Sequence, residues 1–184
     1  MIIVEGPDGA GKTTLITGLA QLLDIPIAPR VVSKDAEAMV NLQDWVDNNL
    51  EEGFQHTIFD RHRLISETIY GPVLRKQQQP GFTDIQWLGP RLERFYSLEP
   101  IIIYCLPPLE VVKANILGDD DNKVVADHIE AIYTAYTTRA ALDLMYSPGF
   151  TWVFDYTRDT QVFKLPLWAM TIASHLAQRK HQHD

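Results

Sequence analysis

Two hydrophobic rhythms alternate along the chain. Short unbroken apolar runs read as strands covered on both faces, and apolar residues at every third or fourth position read as helices with one buried stripe. Ile2-Ile3-Val4 is the first such run, β-branched throughout. Leu15, Ile16, Leu19, Leu22 and Leu23 then recur at helical spacing. Ile25 to Val32 is apolar but carries Pro26 and Pro29, which predicts a short second strand entering a loop, with Arg30 near its carboxyl end. Ser33 is placed to cap a helix reaching about Leu50, with Met39, Leu42, Trp45, Val46 and Leu50 on its buried face.

Thr57-Ile58-Phe59 predicts a third strand that delivers Asp60-Arg61-His62 at its end. A helix follows from Ser66 to about Lys76, disturbed at Gly71-Pro72, and Gln77 to Gly81 is a linker-like stretch too short to separate domains. Ile85 to Leu98 is helical, at least from Pro90 onward. Pro100 to Leu106 is a continuous apolar strand, and Pro107-Pro108 ends it and starts a helix through about Leu117. A long helix carries Ile129, Ile132, Tyr133, Tyr136, Ala140 and Leu144 on one stripe. Trp152 to Tyr156 is the fifth strand, and Pro166 opens a last helix with Trp168, Ala169, Ile172 and Leu176 on one face. Strands alternating with helices predict an α/β fold: one domain over residues 1–184, with a five-stranded parallel sheet flanked by helices in three layers. Ligand sites in such sheets gather at the carboxyl ends of the strands.

That rule gives weight to the segment after the first strand. Gly6 to Thr13 fits G-x-x-x-x-G-K-[ST] without a mismatch, between a strand and a helix, as a phosphate-binding P-loop requires. Gly9 and Gly11 let successive N–H groups, including that of Ala10, turn toward phosphate oxygens, and the helix that begins near Lys12 adds its positive end. Lys12 supplies a mobile ammonium, Thr13 a hydroxyl for Mg²⁺, and Thr14 a further polar group. These residues predict binding of a nucleoside triphosphate.

Composition narrows the acceptor. A formal net charge of −8 argues against a nucleic-acid polymer as partner. The one cysteine, Cys105, excludes an intramolecular disulfide and fits a reducing cytoplasm. No apolar run approaches membrane-spanning length, and the first strand begins too early to leave room for a signal peptide. The expected partners are small-molecule nucleotides. Asp119-Asp120-Asp121 reads as a solvated loop rather than a metal site, because like charges in a row favour water.

Asp60 ends a strand as an acidic Mg²⁺ partner would, and Arg61 beside it offers a guanidinium that clamps phosphate. Glu5-Gly6-Pro7-Asp8-Gly9-Ala10-Gly11-Lys12-Thr13-Thr14, Asp60-Arg61-His62 with Ser66 and Tyr70-Gly71, and Leu106-Pro107-Pro108 together resemble the thymidylate-kinase-like branch of P-loop nucleotide kinases. A similar arrangement occurs in short nucleotide kinases encoded by phages, for which the compartment is the host cytoplasm. The resemblance implies MgATP-dependent phosphoryl transfer to a deoxynucleoside monophosphate, thymidylate or a related one, giving the diphosphate and ADP. It implies that Lys12, Arg61 and Asp60 are catalytic and that Thr13 and Asp60 serve the metal. It also implies that Asp8 accepts from the sugar 3′-hydroxyl and that Arg61 binds the acceptor phosphate, with Arg30 a further candidate. Ser66 and Tyr70 are candidate acceptor contacts, and a homodimer is implied as well.

The chain departs from that pattern in two places. Val31 to His56 contains neither the Glu-Pro-Gly-Gly loop nor the Phe…Arg pair that holds thymine, so the base is left open. The short lid around 117–125 lacks an arginine, and Lys123, Lys113, Arg139 or Arg75 must supply the charge. Two other readings stay open. One is a deoxynucleoside kinase, with Glu5 or Asp60 as the base for a 5′-hydroxyl. The other is a non-kinase NTP-binding switch or ATPase, against which the guanine motif Asn-Lys-x-Asp is missing after Asn122-Lys123.

Overall fold

The computed structural model describes residues 1–29, 42–50, 56–74, 82, 84–117, 123–147, 149–158 and 161–180. Arg30, Ser33, Met39, Arg75, the stretch 77–81 and the aspartates 119–121 lie outside them, so the expectations placed there are not addressed by this fold.

Four parallel strands form the sheet among the described residues: β1 (Ile2–Glu5), β2 (Ile58–Asp60), β3 (Ile101–Cys105) and β4 (Thr151–Phe154), in the order β2-β1-β3-β4. The expected five strands become four because the segment with two prolines makes a single bridge, Ile27 to Ile58, instead of a ladder. The Ala28 N–H donates to the Ile58 carbonyl at 2.8 Å and the Ile58 N–H to the Pro26 carbonyl at 2.9 Å. Pro26 has no N–H to extend that pairing toward the residues before Ile58.

The apolar runs are unbroken because each strand has two faces to bury. Ile3, Phe59, Ile102 and Tyr104 point into one core cluster; Ile2, Val4, Ile58, Ile101, Ile103 and Cys105 point into the other. The first is covered by α2 (Leu42–Asn49), α3 (Arg63–Leu74), α4 (Ile85–Ser97) and most of α7 (Ile129–Tyr146). The second is covered by α1 (Lys12–Leu23), α5 (Leu109–Ile116) and α8 (Gln161–Lys180), while α6 (Lys123–Ala126) is one short turn between them. The result is the expected three-layer α/β arrangement.

Helix α4 starts at Ile85 as expected, where the Asp84 carboxylate caps it by accepting from the Gln86 N–H. Other elements differ from the sequence reading for local reasons. Helix α3 starts earlier than Ser66 and passes through Pro72, and α8 likewise runs through Pro166 instead of starting there. On α7 the buried stripe is Ile129, Ile132, Tyr136, Ala140 and then Asp143, while Leu144 is 37% exposed. A carboxylate takes the position expected to be apolar because three partners meet it there. Tyr104 donates to one oxygen at 2.5 Å, Tyr96 to the other at 2.9 Å, and Arg139 Nε to both at 3.0 and 3.2 Å. No helix of the described residues is long and apolar enough to cross a membrane.

Candidate active site

Strand β1 ends at Glu5, and the loop from Gly6 to Gly11 crosses the carboxyl edge of the sheet to α1. Gly6 (φ 141°) lies so close to β3 that an added Cβ would stand 2.5 Å from the Cys105 carbonyl oxygen. At Gly9 (φ 76°) the same atom would meet the Val112 carbonyl at 2.9 Å. The loop is pressed onto β3 and α5, and any side chain at these positions would lift it. Helix α1 begins with no side-chain cap, so its first N–H groups keep their donor capacity for an anion. Ala10 is fully buried, whereas Thr13 and Thr14 are exposed at the start of α1. Lys12 is 7% exposed and its ammonium donates to the Pro7 carbonyl at 2.7 Å. Burial and then the nearby Arg61 charge bring its pKa down to about 8, with Asp8 and Asp60 opposing.

The second half of the site comes from the turn after β2. Arg61 adopts φ 69°, a left-handed conformation unusual outside glycine. Two main-chain pins hold it there. Its own N–H donates to the Val4 carbonyl at 3.0 Å, and the His62 N–H donates to Glu5 Oε1 at 2.7 Å. The side chain then reaches back over the P-loop. Nε and Nη2 donate to the Gly6 carbonyl at 3.2 and 3.1 Å, and Nη2 pairs with Asp8 Oδ1 at 2.8 Å. Nη2 also meets the Tyr70 hydroxyl at 2.6 Å, and that hydroxyl donates to Asp8 Oδ2 at 2.8 Å. Nη1 has no acceptor among the described residues. The Arg61 and Asp8 side chains keep 14% and 19% of their surface exposed, so the pair borders solvent. Burial would raise the Asp8 carboxyl, but the Arg61 and Lys12 charges outweigh it and hold the group down at about 2. Burial pushes the Tyr70 hydroxyl up, so it stays a donor.

Glu5 is not open to a substrate hydroxyl. It is fully buried, with Oε1 on the His62 N–H and Oε2 accepting from the Tyr136 hydroxyl at 3.0 Å. Burial raises its pKa to about 7, against the hydrogen bonds and the Arg61 charge. The expectation that Glu5 acts as a base gives way to a role as tether of the Arg61 turn. Asp60, at the end of β2, remains half-buried, with its charge felt at Lys12. His62 presents only its main chain. Its ring is sealed between Trp45, Phe59 and Phe95 at centroid distances of 5.3, 5.7 and 4.8 Å, and burial drives its pKa down to about 3.

The remaining candidates divide. Ser66 is 2% exposed and enclosed in α3. Away from the site, Trp45 packs on Phe59 and Trp87 on Phe82, with the Arg91 guanidinium 4.3 Å from the Trp87 ring centroid. Arg91 itself is held by Asp47 through two bonds of 2.7 Å. Of the cations proposed to replace a lid arginine, Arg139 is committed to Asp143 and Tyr96, and Lys113 to Glu130 and Glu110. Lys123 is exposed on α6. Three neighbours of the site had no signal in the sequence: Tyr136 on Glu5, and Asn115 and Tyr156 on the outside of the P-loop.

No family model and no curated protein sequence matches the chain. Solved structures do. YorR from Bacillus subtilis, in complex with phosphorylated GDP, is 20% identical with a TM-score of 0.59, covering 100% of this chain and 98% of its own. Deoxyadenosine kinase from M. mycoides with the products dCMP and dCDP is 16% identical with a TM-score of 0.61, covering 95% and 98%. The same kinase with bound dCTP is 18% identical with a TM-score of 0.57, covering 95% and 100%. The likeness establishes the fold. It spans both chains nearly end to end, so the arrangement of sheet and helices is shared with these structures.

Proposed function

We propose that the chain transfers the terminal phosphoryl group of ATP to a small nucleotide acceptor, a deoxynucleoside monophosphate. One observation carries the reading: Arg61 is locked by Nε and Nη2 against the P-loop and its Asp8, and Nη1 is left over beside the loop. A guanidinium fixed on two of its nitrogens presents the third as an oriented pair of donors, suited to a phosphate oxygen.

The loop residues fit a triphosphate, since the positive-φ glycines, the uncapped start of α1 and the Lys12 ammonium converge. Gly9, Ala10, Gly11, Lys12, Thr13 and Thr14 hold the donor phosphates in this reading. Thr13 and Asp60 would hold Mg²⁺, which when bound neutralises phosphate charge. A pair of oxygen donors suits an ion that keeps most of its ligands as water and phosphate. Asp8 has both oxygens engaged, yet a carboxylate accepts about four hydrogen bonds, so a sugar hydroxyl fits beside Arg61 and Tyr70. A monophosphate acceptor is already an oxyanion, so the site needs position and charge more than a base.

A second reading, phosphorylation of a deoxynucleoside 5′-hydroxyl, draws on the fold shared with deoxyadenosine kinase and leaves Asp60 as the base. An ADP-release assay with deoxynucleoside monophosphates, deoxynucleosides and no acceptor in parallel separates the alternatives. ADP formation requiring a monophosphate is the expected result. Formation with nucleosides alone selects the second reading, and acceptor-independent hydrolysis rejects both.

A further inference from the structure

Two residues that belong to no motif hold the P-loop from its outer side. Asn115, near the end of α5, uses one amide nitrogen twice: Nδ2 donates to the Gly9 carbonyl at 2.7 Å and to the Tyr156 hydroxyl at 2.8 Å. Tyr156, just past β4, lays its ring along the loop, with two ring carbons 3.0 Å from where a Cβ on Gly11 would stand. The loop is thus gripped at two of its left-handed residues by parts of the chain 106 positions and more away.

The grip has a direction. In a planar trans peptide the carbonyl and the following N–H point opposite ways. Drawing the Gly9 carbonyl outward to Asn115 therefore turns the Ala10 N–H inward. It points toward the Pro7 carbonyl, 3.4 Å away, which also receives the Lys12 ammonium at 2.7 Å. A triphosphate oxygen accepting from Lys12 would find the Ala10 N–H already aimed at it.

We propose that Asn115 and Tyr156 form a brace that orients the Gly9–Ala10 peptide toward the donor's terminal phosphates, and so act as positioning residues for the donor. This rests on the nucleotide-binding reading of the loop. Without the brace that peptide can rotate, and the phosphates must bind to a loop that is no longer set in advance.

Calorimetric titration with ATP, inorganic tripolyphosphate and AMP tests the brace, on the native chain and on Asn115→Ala, Asn115→Asp and Tyr156→Phe. Asn115→Ala is expected to weaken ATP and tripolyphosphate by about tenfold and AMP by less than about twofold, the loss of one well-placed hydrogen bond acting on the terminal phosphates. Asn115→Asp, which sets a carboxylate against the Gly9 carbonyl, weakens them further. Tyr156→Phe keeps the ring and loses only the hydroxyl that steadies Asn115, for about a threefold effect. Equal weakening of ATP and AMP, or unchanged ATP affinity in all three variants, overturns the brace. If melting curves show Asn115→Ala to be unfolded, Tyr156→Phe decides, and full ATP affinity there overturns it. A native chain that binds neither ATP nor tripolyphosphate overturns the nucleotide reading and the brace with it.

Discussion

The chain builds the same trio of arginine, aspartate and tyrosine twice. Around Arg61, Asp8 and Tyr70 the partners come from a strand end, a loop and a helix, and the arginine backbone is left-handed. Around Arg139, Asp143, Tyr96 and Tyr104 the ion pair lies one turn apart on a regular helix, and the tyrosines come from α4 and β3. In the second cluster Asp143 is saturated, with two tyrosines and Arg139 Nε filling its acceptor positions. The first keeps lone pairs of Asp8 in reserve at the solvent border, since each of its oxygens accepts a single bond. Composition alone does not separate a site from a structural pin. Backbone strain and an unsaturated carboxylate do.

The strongest way to break that contrast starts beside the first cluster. Lys12→Ala is expected to lower phosphoryl-transfer turnover by about a thousandfold with the melting temperature retained, because the ammonium it removes serves charge on the transferred group. Turnover within about tenfold of native in an ADP-release assay removes the site assignment. Arg61→Met and Arg139→Met then separate the two clusters directly. The first should lose about a hundredfold in kcat/KM, with a stability loss of no more than about 2 kcal/mol as Asp8 loses its partner. The second should lose about 3 kcal/mol in urea denaturation, since it strands Asp143 in the interior, while the folded fraction keeps native kinetics. Exchange of those two phenotypes would invert the comparison.

Titration sharpens it further, because two carboxyls of the first cluster bias stability in opposite senses. Glu5 has its folded pKa raised from 4.5 to about 7. The folded state binds the extra proton between those values, so this contribution is present below pH 4.5 and is lost as pH rises through about 7. It amounts to about 3 kcal/mol. Asp8 has its pKa lowered from 3.8 to about 2, so its contribution of about 2 kcal/mol is present above pH 3.8 and fades as pH falls through about 2. Urea midpoints measured across pH 2 to 8 should therefore lose their slope between 4.5 and 7 in Glu5→Gln alone. A slope that survives in that variant assigns the proton elsewhere.

The smallest expected effect is the most selective. Asp8→Asn should raise the acceptor KM by about tenfold while leaving the ATP KM within about threefold, as the removal of one charge-assisted contact implies. Equal changes in both constants would place Asp8 with the donor.

Much of this was legible in the residues themselves. The P-loop match is local, eight consecutive positions between a strand and a helix, and the Asp-Arg pair sits at a strand end. Other parts depended on distant packing. Tyr136 meets Glu5 across 131 positions, and Asn115 meets Gly9 across 106, with nothing in the local pattern of either to mark it. Asp143 hid in plain periodicity. It falls where a helix stripe calls for an apolar residue, and only the tyrosines from α4 and β3 make a carboxylate tenable there. The segment from Ile25 misleads for the opposite reason: its side chains suit a sheet, but Pro26 withholds a donor that a ladder needs.

The closeness of Gly6 to the Cys105 carbonyl has a practical consequence. Cys105 is the chain's one thiol, fully enclosed in β3, and burial pushes its pKa up to about 12. In the closed protein it is shielded and almost wholly protonated, so an alkylating reagent reacts only when the P-loop and the helices covering that face of β3 lift. The native chain thus carries its own chemical clock for that opening. Slower labelling when nucleotide is added would read how firmly the bound phosphates clamp the P-loop over that face, without any engineered probe.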